Sequence, residues 1–154
     1  MSSYLSLFFM SMLPVVELRG SVPVGIAQGL EPGLVWLTCV LGNLVPVPFI
    51  MLFARAVMSW MEKRGGVLER LVVRLKNKAD KAAQKVYKYE LLGLCLLVAV
   101  PLPGTGAWTG SLVAAMLQIR FKTAIPVIVL GVCIAGVIML ILSCGVDALF
   151  SLGS

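Results

Sequence analysis

Residues 91–117 read LLGLCLLVAVPLPGTGAWTGSLVAAML, an apolar run that prolines and glycines interrupt near its midpoint. A continuous helix through Pro101 and Pro103 would lose backbone hydrogen bonds, and in lipid each loss costs several kcal/mol. As helices, the flanking arms 91–100 and 107–117 would each be about 15 Å long, roughly half the thickness of a bilayer core. The run therefore predicts a re-entrant helical hairpin, which enters the membrane and returns to the side it came from.

A second broken run lies at the amino terminus, and two unbroken runs complete the pattern. Residues 4–30 form two short apolar arms, Tyr4–Leu13 and Ser21–Leu30, around a break between Pro14 and Gly20. Residues 33–58 and 123–146 are long enough to cross the membrane as single helices. We expect an all-α integral membrane fold, an inverted repeat of re-entrant hairpin plus transmembrane helix in one membrane domain over residues 1–154.

Composition supports a membrane environment. Hydrophobic residues make up 60% of the chain and charged residues 13%, whereas soluble domains have about 25% charged residues. Ten of the 13 Lys and Arg lie between residues 55 and 90, with four of the seven acids, so this stretch carries the whole net charge of +6. Residues 62–90 predict a basic amphipathic helix on the cytoplasmic face of the membrane, in a multi-pass protein. A membrane surface explains this segment better than a nucleic acid.

The basic residues also bear on topology. If residues 91–117 crossed the membrane, Arg120 and Lys122 would emerge outside, whereas a re-entrant hairpin keeps them inside with the other basic residues. Charge does not show whether the first hairpin is re-entrant or crosses the membrane, because a crossing segment would also leave Glu31 outside.

Glu17 and Arg19 are the only charges deep within an apolar run. Ionisable groups at membrane depth are costly and usually face a cavity or each other. At positions i and i+2 their side chains would point to different sides of a helix, so a direct pair needs a non-helical tip. Glu17 could carry a proton or hold a cation, and Arg19 could bind an anionic head group. The alternative is a structural ion pair.

The break from Pro101 to Gly106 leaves backbone amides and carbonyls without helical partners. Such groups are tolerated at membrane depth only beside a cavity, where they could bind an anion or a cation. Trp108 could stack on a substrate or pack between helices, and the amide of Asn43 could bridge helices or reach the site. The predicted substrate- and proton-binding residues are Glu17, Arg19, Gly20, Pro23, Asn43, Pro101, Pro103, Gly104, Thr105, Gly106 and Trp108.

The sequence offers no constellation typical of an enzyme or a metalloprotein. It has no histidine, and its four cysteines lie singly in apolar runs without a CxxC pair. P-loop and GxSxG motifs are also absent. We expect no metal, no cofactor and no enzymatic activity.

Two stretches carry a family resemblance. PVVELRGSVP at residues 14–23, paired with PLPGTGAWTG at 101–110, resembles the small multidrug export protein family of prokaryotes, and the similarity covers nearly the whole chain. This resemblance implies export of small compounds. The layout is more distantly similar to the DedA/VTT superfamily of lipid transporters and scramblases, whose acid would map to Glu17. The chain departs from that pattern because its second hairpin has no arginine.

Three functions remain open at this stage. The first is proton-coupled export of small amphiphilic compounds, with Glu17 exchanging a proton for substrate. The second is a flippase or scramblase for a polyprenyl phosphate or phospholipid, and the third is a non-transporting membrane scaffold. Because two spans and two hairpins make a thin wall for a pathway, we also predict a homodimer, which cross-linking in bilayers would test.

Overall fold

The computed structural model describes residues 2–63, 89, 91–102 and 105–152. Most of the predicted basic helix 62–90 lies outside the described residues. The described part of the chain is helical and contains no strand, which confirms the all-α prediction. The helices are α1 (Ser2–Met12), α2 (Glu17–Ala27), α3 (Pro32–Leu44), α4 (Pro46–Lys63), α5 (91–99), α6 (Ala107–Met116) and α7 (Phe121–Leu152).

Two helical segments are long and apolar enough to cross a membrane, Pro32–Trp60 and Phe121–Val146. The first consists of α3 and α4, which are separated only at Val45. Pro46 and Pro48 lack the N–H groups that would bind the carbonyls four residues earlier, so the helix is interrupted here. Along α7, exposed Leu130, Ile134, Val137 and Ile141 form a stripe at helical spacing, as expected of a lipid-facing surface.

The short helices form two helical hairpins, hairpin 1 (α1 and α2) and hairpin 2 (α5 and α6). In hairpin 1 the second arm begins at Glu17, four residues before the Ser21 that the sequence predicts. In hairpin 2 the helices end within a residue of the predicted arms. Glycines let each hairpin approach the long helix that follows it. A Cβ at Gly42 of α3 would collide with the Phe8 carbonyl of α1, and one at Gly131 of α7 would lie 3.0 Å from the Cys95 carbonyl of α5.

The two halves of the chain pack across each other. Hairpin 1 packs on α3, but α2 also lies against α7, and α6 of hairpin 2 lies against α4. The buried core runs through both halves. It includes Leu7, Val22, Val35, Met51, Leu94, Val98, Ala114, Ile128 and Val132. This crossed packing brings the connection within hairpin 1 next to the connection within hairpin 2.

Local backbone geometry repeats between the halves. Within the described ranges, positive φ angles occur at Glu17, Gly29, Gly106 and Gln118. These four residues form two pairs, Glu17 with Gly106 and Gly29 with Gln118, and each pair is 89 residues apart (106 − 17 and 118 − 29). The glycines that face the first arms, Gly42 and Gly131, have the same separation (131 − 42). In each half, therefore, the second arm starts and ends with a residue of positive φ.

Candidate functional site

The start of α2 meets the connection between α5 and α6, and both charged residues of hairpin 1 lie at this contact. Glu17 and Arg19 belong to the first turn of α2 rather than to a non-helical tip. Their side chains therefore point in different directions, and each of them binds hairpin 2. The direct ion pair considered as an alternative would need a non-helical tip, whereas both residues lie in a helical turn here.

The carboxylate of Glu17 is buried against the amino terminus of α6. Only 6% of the Glu17 surface is exposed, and its Oε1 accepts a hydrogen bond of 3.2 Å from the backbone N–H of Trp108. Gly106, with φ of 145°, lies so close that a Cβ there would collide with the carboxylate. The positive end of a helix dipole favours an anion at this position. The start of α6 is thus shaped and polarised for the Glu17 side chain.

The backbone of Glu17 is itself unusual. Its φ of 47° is in the left-handed region, which costs a residue with a Cβ roughly 1–2 kcal/mol relative to the right-handed conformation. In this left-handed conformation the carboxylate lies against Gly106. Non-glycine residues in such conformations are concentrated at functional sites.

Arg19 binds the opposite end of the same connection, where α5 terminates. Its Nη2 donates to the carbonyl of Val100 at 3.0 Å and to Oγ1 of Thr105 at 2.8 Å, and its Nη1 donates to the carbonyl of Leu102. Thr105 Oγ1 lies 2.9 Å from each of these two carbonyl oxygens. These two carbonyls lie just beyond α5 and also accept hydrogen bonds from the backbone N–H groups of Leu102 and Thr105, so the guanidinium adds charged donors to bonds that the connection already makes.

Trp108 makes the reciprocal contact from hairpin 2 to hairpin 1. Its indole Nε1 donates to the carbonyl of Met12, the last residue of α1, at 3.1 Å. Each second arm thus uses a side chain near its start to bind a carbonyl at the end of the opposite first arm. This bond joins the two hairpins, and stacking of Trp108 on a substrate stays a prediction.

The remaining predicted residues divide into three groups. Gly20 and Pro23 lie within α2, where a Cβ at Gly20 would clash with Val16. Pro101 is next to the carbonyls that Arg19 binds, and Pro103 and Gly104 lie outside the described residues. Asn43 is buried in α3, and its Oδ1 has no hydrogen-bond partner among the described residues. The structure therefore brings Glu17, Arg19, Thr105, Gly106 and Trp108 together.

Two contacts were missed by sequence reasoning. Met12 contributes only a backbone carbonyl, which its side chain does not reveal. Arg55 of α4 donates to the carbonyl of Ile119, just beyond α6, and the signal for it was a single arginine close to the end of an apolar run. Among the described residues no group of three or more His, Cys, Asp or Glu could hold a metal ion. The chemistry available at the site is that of one carboxylate, one guanidinium and the backbone N–H and carbonyl groups that bind them.

Comparison with known proteins gives one match. A family model described as "Putative small multi-drug export protein" matches residues 17–138, from the first residue of α2 through hairpin 2 and into α7. No curated protein and no solved structure matches the chain.

Proposed function

The chain belongs to the family of putative small multi-drug export proteins, and on that basis we propose that it is a proton-coupled exporter of small amphiphilic compounds, not an enzyme. The observation that carries the proposal is the buried carboxylate of Glu17, held in a strained backbone conformation against the start of the opposite hairpin. A protein that needed only packing there could use a small apolar residue without the cost of burying a charge. The residues predicted from the sequence to bind substrate or protons remain part of this proposal.

The proton would act through the contact between the hairpins. Ionised Glu17 accepts the Trp108 N–H and interacts favourably with the α6 dipole. Protonation removes the negative charge and so weakens the attraction between α2 and α6. In the proposed cycle, deprotonated Glu17 holds the hairpins together, and protonation lets them separate so that bound substrate is released in exchange for the proton. Binding of the proton and closure of the pathway are then mutually exclusive.

The inverted repeat predicted from the sequence is also part of the proposal. Glu17 and Gly106 occupy equivalent positions 89 residues apart, and they touch each other. When two equivalent positions touch, a two-fold relation between the halves must have its axis at that contact. The reciprocal bonds from Arg19 to the end of α5 and from Trp108 to the end of α1 fit the same relation. Transporters with inverted repeats commonly bind substrate at the interface between the repeats.

Membrane placement follows the same reasoning. The bond from Arg55 to the Ile119 carbonyl puts one basic residue of α4 at the same end of the molecule as Arg120 and Lys122. This supports the proposal that hairpin 2 is re-entrant and that the basic segment 62–90 faces the cytoplasm of a prokaryotic inner membrane. Glu31, at the start of α3, would then face the outside. The homodimer remains a prediction.

The test uses purified protein in vesicles that contain a pH-sensitive dye. Amphiphilic cations are added to the wild type, to Glu17→Gln and to Glu31→Gln, whose native carboxylate is exposed and distant from the hairpin contact along the chain. We expect a substrate-dependent proton flux in the wild type and in Glu31→Gln, and none in Glu17→Gln. The glutamine still offers an oxygen to Trp108, so the variant removes the charge with little change in shape.

Two outcomes would overturn the proposal. Proton flux in Glu17→Gln equal to that of the wild type would show that Glu17 does not couple protons to substrate. Silence of the wild type with every compound, combined with movement of labelled lipid between leaflets, would favour the flippase alternative instead. If neither solute nor lipid moves, the scaffold interpretation gains support.

A further inference from the structure

Three oxygen atoms at the end of α5 converge on a single cation. The carbonyls of Val100 and Leu102 and Oγ1 of Thr105 all accept hydrogen bonds from the Arg19 guanidinium. They come from one short stretch of hairpin 2, whereas the cation comes from hairpin 1, more than 80 residues away. This three-oxygen receptor therefore belongs wholly to one hairpin, and its two carbonyls also accept hydrogen bonds from the backbone N–H groups of Leu102 and Thr105.

The chemistry of this receptor selects a planar cation. Carbonyl oxygens carry a partial negative charge that attracts a cation, and a guanidinium presents several N–H donors in one plane, which can bind several acceptors together. Thr105 Oγ1 stays within 2.9 Å of both carbonyl oxygens, so the three acceptors are held as a set. An ammonium group, with its donors in a tetrahedral array, would not match them as well.

We propose that this three-oxygen receptor is a binding site for amphiphiles that carry a guanidinium or amidinium group, and that Arg19 occupies it in the conformation described here. A substrate cation displaces Arg19 and thereby releases hairpin 1 from hairpin 2. The inference rests on the proposed export function and names its substrate class.

The surroundings of the receptor fit an amphiphile. The Leu102 side chain is 56% exposed and that of Val100 is 40% exposed, so apolar surface lies beside the two carbonyls. Arg19 itself is only half-buried, which leaves a route by which another cation can reach the oxygens. An apolar tail would contact the Val100 and Leu102 side chains while its cationic head replaces the Arg19 guanidinium.

The experiment measures binding and needs no proton gradient. Arg19→Ala empties the receptor, and thermal unfolding of the purified protein is followed by tryptophan fluorescence with methylguanidinium, methylammonium or methylurea at equal millimolar concentrations. Methylurea has the same shape as methylguanidinium without the charge. We expect Arg19→Ala to melt at a lower temperature than the wild type. Methylguanidinium should restore most of that loss, methylammonium less and methylurea none.

A second variant tests whether the rescue uses the named oxygens. Thr105→Val in the Arg19→Ala background removes one acceptor, and we expect methylguanidinium to bind it roughly tenfold to a hundredfold more weakly, the effect of one hydrogen bond to a charged group. If Arg19→Ala folds only when purified with methylguanidinium, loss of the fold on dialysis into methylurea supports the same conclusion. Equal effects of methylguanidinium and methylurea, or a rescue unchanged by Thr105→Val, would overturn the proposal.

Transport assays separate this inference from the proposed function. Rescue of Arg19→Ala together with a wild type that moves no protons would support the guanidinium receptor and contradict proton-coupled export. Proton-coupled export of other amphiphiles by the wild type, without any rescue of Arg19→Ala, would support the export function and contradict the guanidinium receptor.

Discussion

At the scale of single residues, the contact between Glu17 and Gly106 joins two unusual backbone conformations. Glu17 has φ of 47°, and Gly106 has φ of 145° with ψ of −163°. Glycine is suited to position 106 for two separate reasons, since the backbone angle disfavours any side chain and the space for a Cβ is filled by the Glu17 carboxylate. The two residues are therefore expected to respond together to substitution.

Gly106→Ala should destabilise the protein and abolish coupling. The methyl group must displace the carboxylate, and the backbone angle alone costs about 1–3 kcal/mol for a residue with a side chain. Thermal unfolding measures the loss of stability, and dye-loaded vesicles measure proton flux.

Gly93→Ala is the matched control, because Gly93 lies in α5 and no atom is within 4 Å of a Cβ built there. That substitution should leave transport unchanged and raise stability by up to about 1 kcal/mol, since alanine is the better helix former. Similar melting temperatures for the two variants would contradict the described geometry.

The sequence identified the charged residues of the site and placed Thr105, Gly106 and Trp108 in it, but it did not indicate which backbone groups bind Glu17 and Arg19. Glu17 and Arg19 are conspicuous because a charge in a long apolar run is rare. Their partners are the N–H of residue 108 and the carbonyls of residues 100 and 102, between 81 and 91 positions away. Almost every residue carries such backbone groups, so nothing in the amino-acid pattern distinguishes these. Only the three-dimensional packing of the hairpins selects them.

At the scale of elements, the second arms of the two hairpins end in the same way. In α2 the N–H groups of Gly29 and Leu30 bind the carbonyls of Ile26 and Gly25. After α6 the N–H groups of Gln118 and Ile119 bind the carbonyls of Ala115 and Ala114. Both are helix ends that turn through a left-handed residue, a position where glycine is preferred. Hairpin 1 has glycine there, whereas hairpin 2 has Gln118 with φ of 56°.

Exchanging these residues should move stability in opposite directions. Gln118→Gly relieves the left-handed strain and should stabilise the protein by about 0.5–1 kcal/mol, after allowance for the greater freedom of glycine in the unfolded chain. Gly29→Gln should destabilise it by a similar amount. No atom lies within 4 Å of a Cβ at Gly29, so its cost comes from the backbone angle alone. Thermal unfolding compares the two, and shifts of the same sign would argue against equivalent helix ends.

The boundaries of the helices were predicted more closely in hairpin 2 than in hairpin 1. Prolines placed the break of hairpin 2 within a residue of its position. In hairpin 1 Pro14 and Gly20 suggested a non-helical tip between them, yet residues 17–20 form the first turn of α2. Partners on hairpin 2 compensate the buried charges, and tertiary contacts of this kind override local preference.

At the scale of the whole molecule, the order of hairpin and long helix in each half could be predicted, but the packing between the halves could not. Apolar length predicted two membrane-capable helices, which the structure confirms. The crossing of α2 onto α7 and of α6 onto α4 depends on contacts between distant segments. It is this crossing that places the two hairpin connections side by side, and so creates the site.

The membrane orientation of the halves can be tested by labelling single cysteines in intact cells. In a variant without Cys39, Cys95, Cys133 and Cys144, cysteines are introduced as Glu31→Cys, Lys63→Cys and Arg120→Cys, and a membrane-impermeant maleimide is added. Glu31→Cys should be labelled from outside, and Lys63→Cys only after permeabilisation.

Arg120→Cys decides between the two topologies, because its native residue is exposed and directly follows the residue whose carbonyl Arg55 binds. A re-entrant hairpin 2 keeps position 120 on the cytoplasmic side with Lys63, so labelling should again require permeabilisation. Labelling from outside would mean that hairpin 2 crosses the membrane. The two long helices would then not run in opposite directions, and the inverted repeat would have to be abandoned even if Glu17 still couples transport to protons.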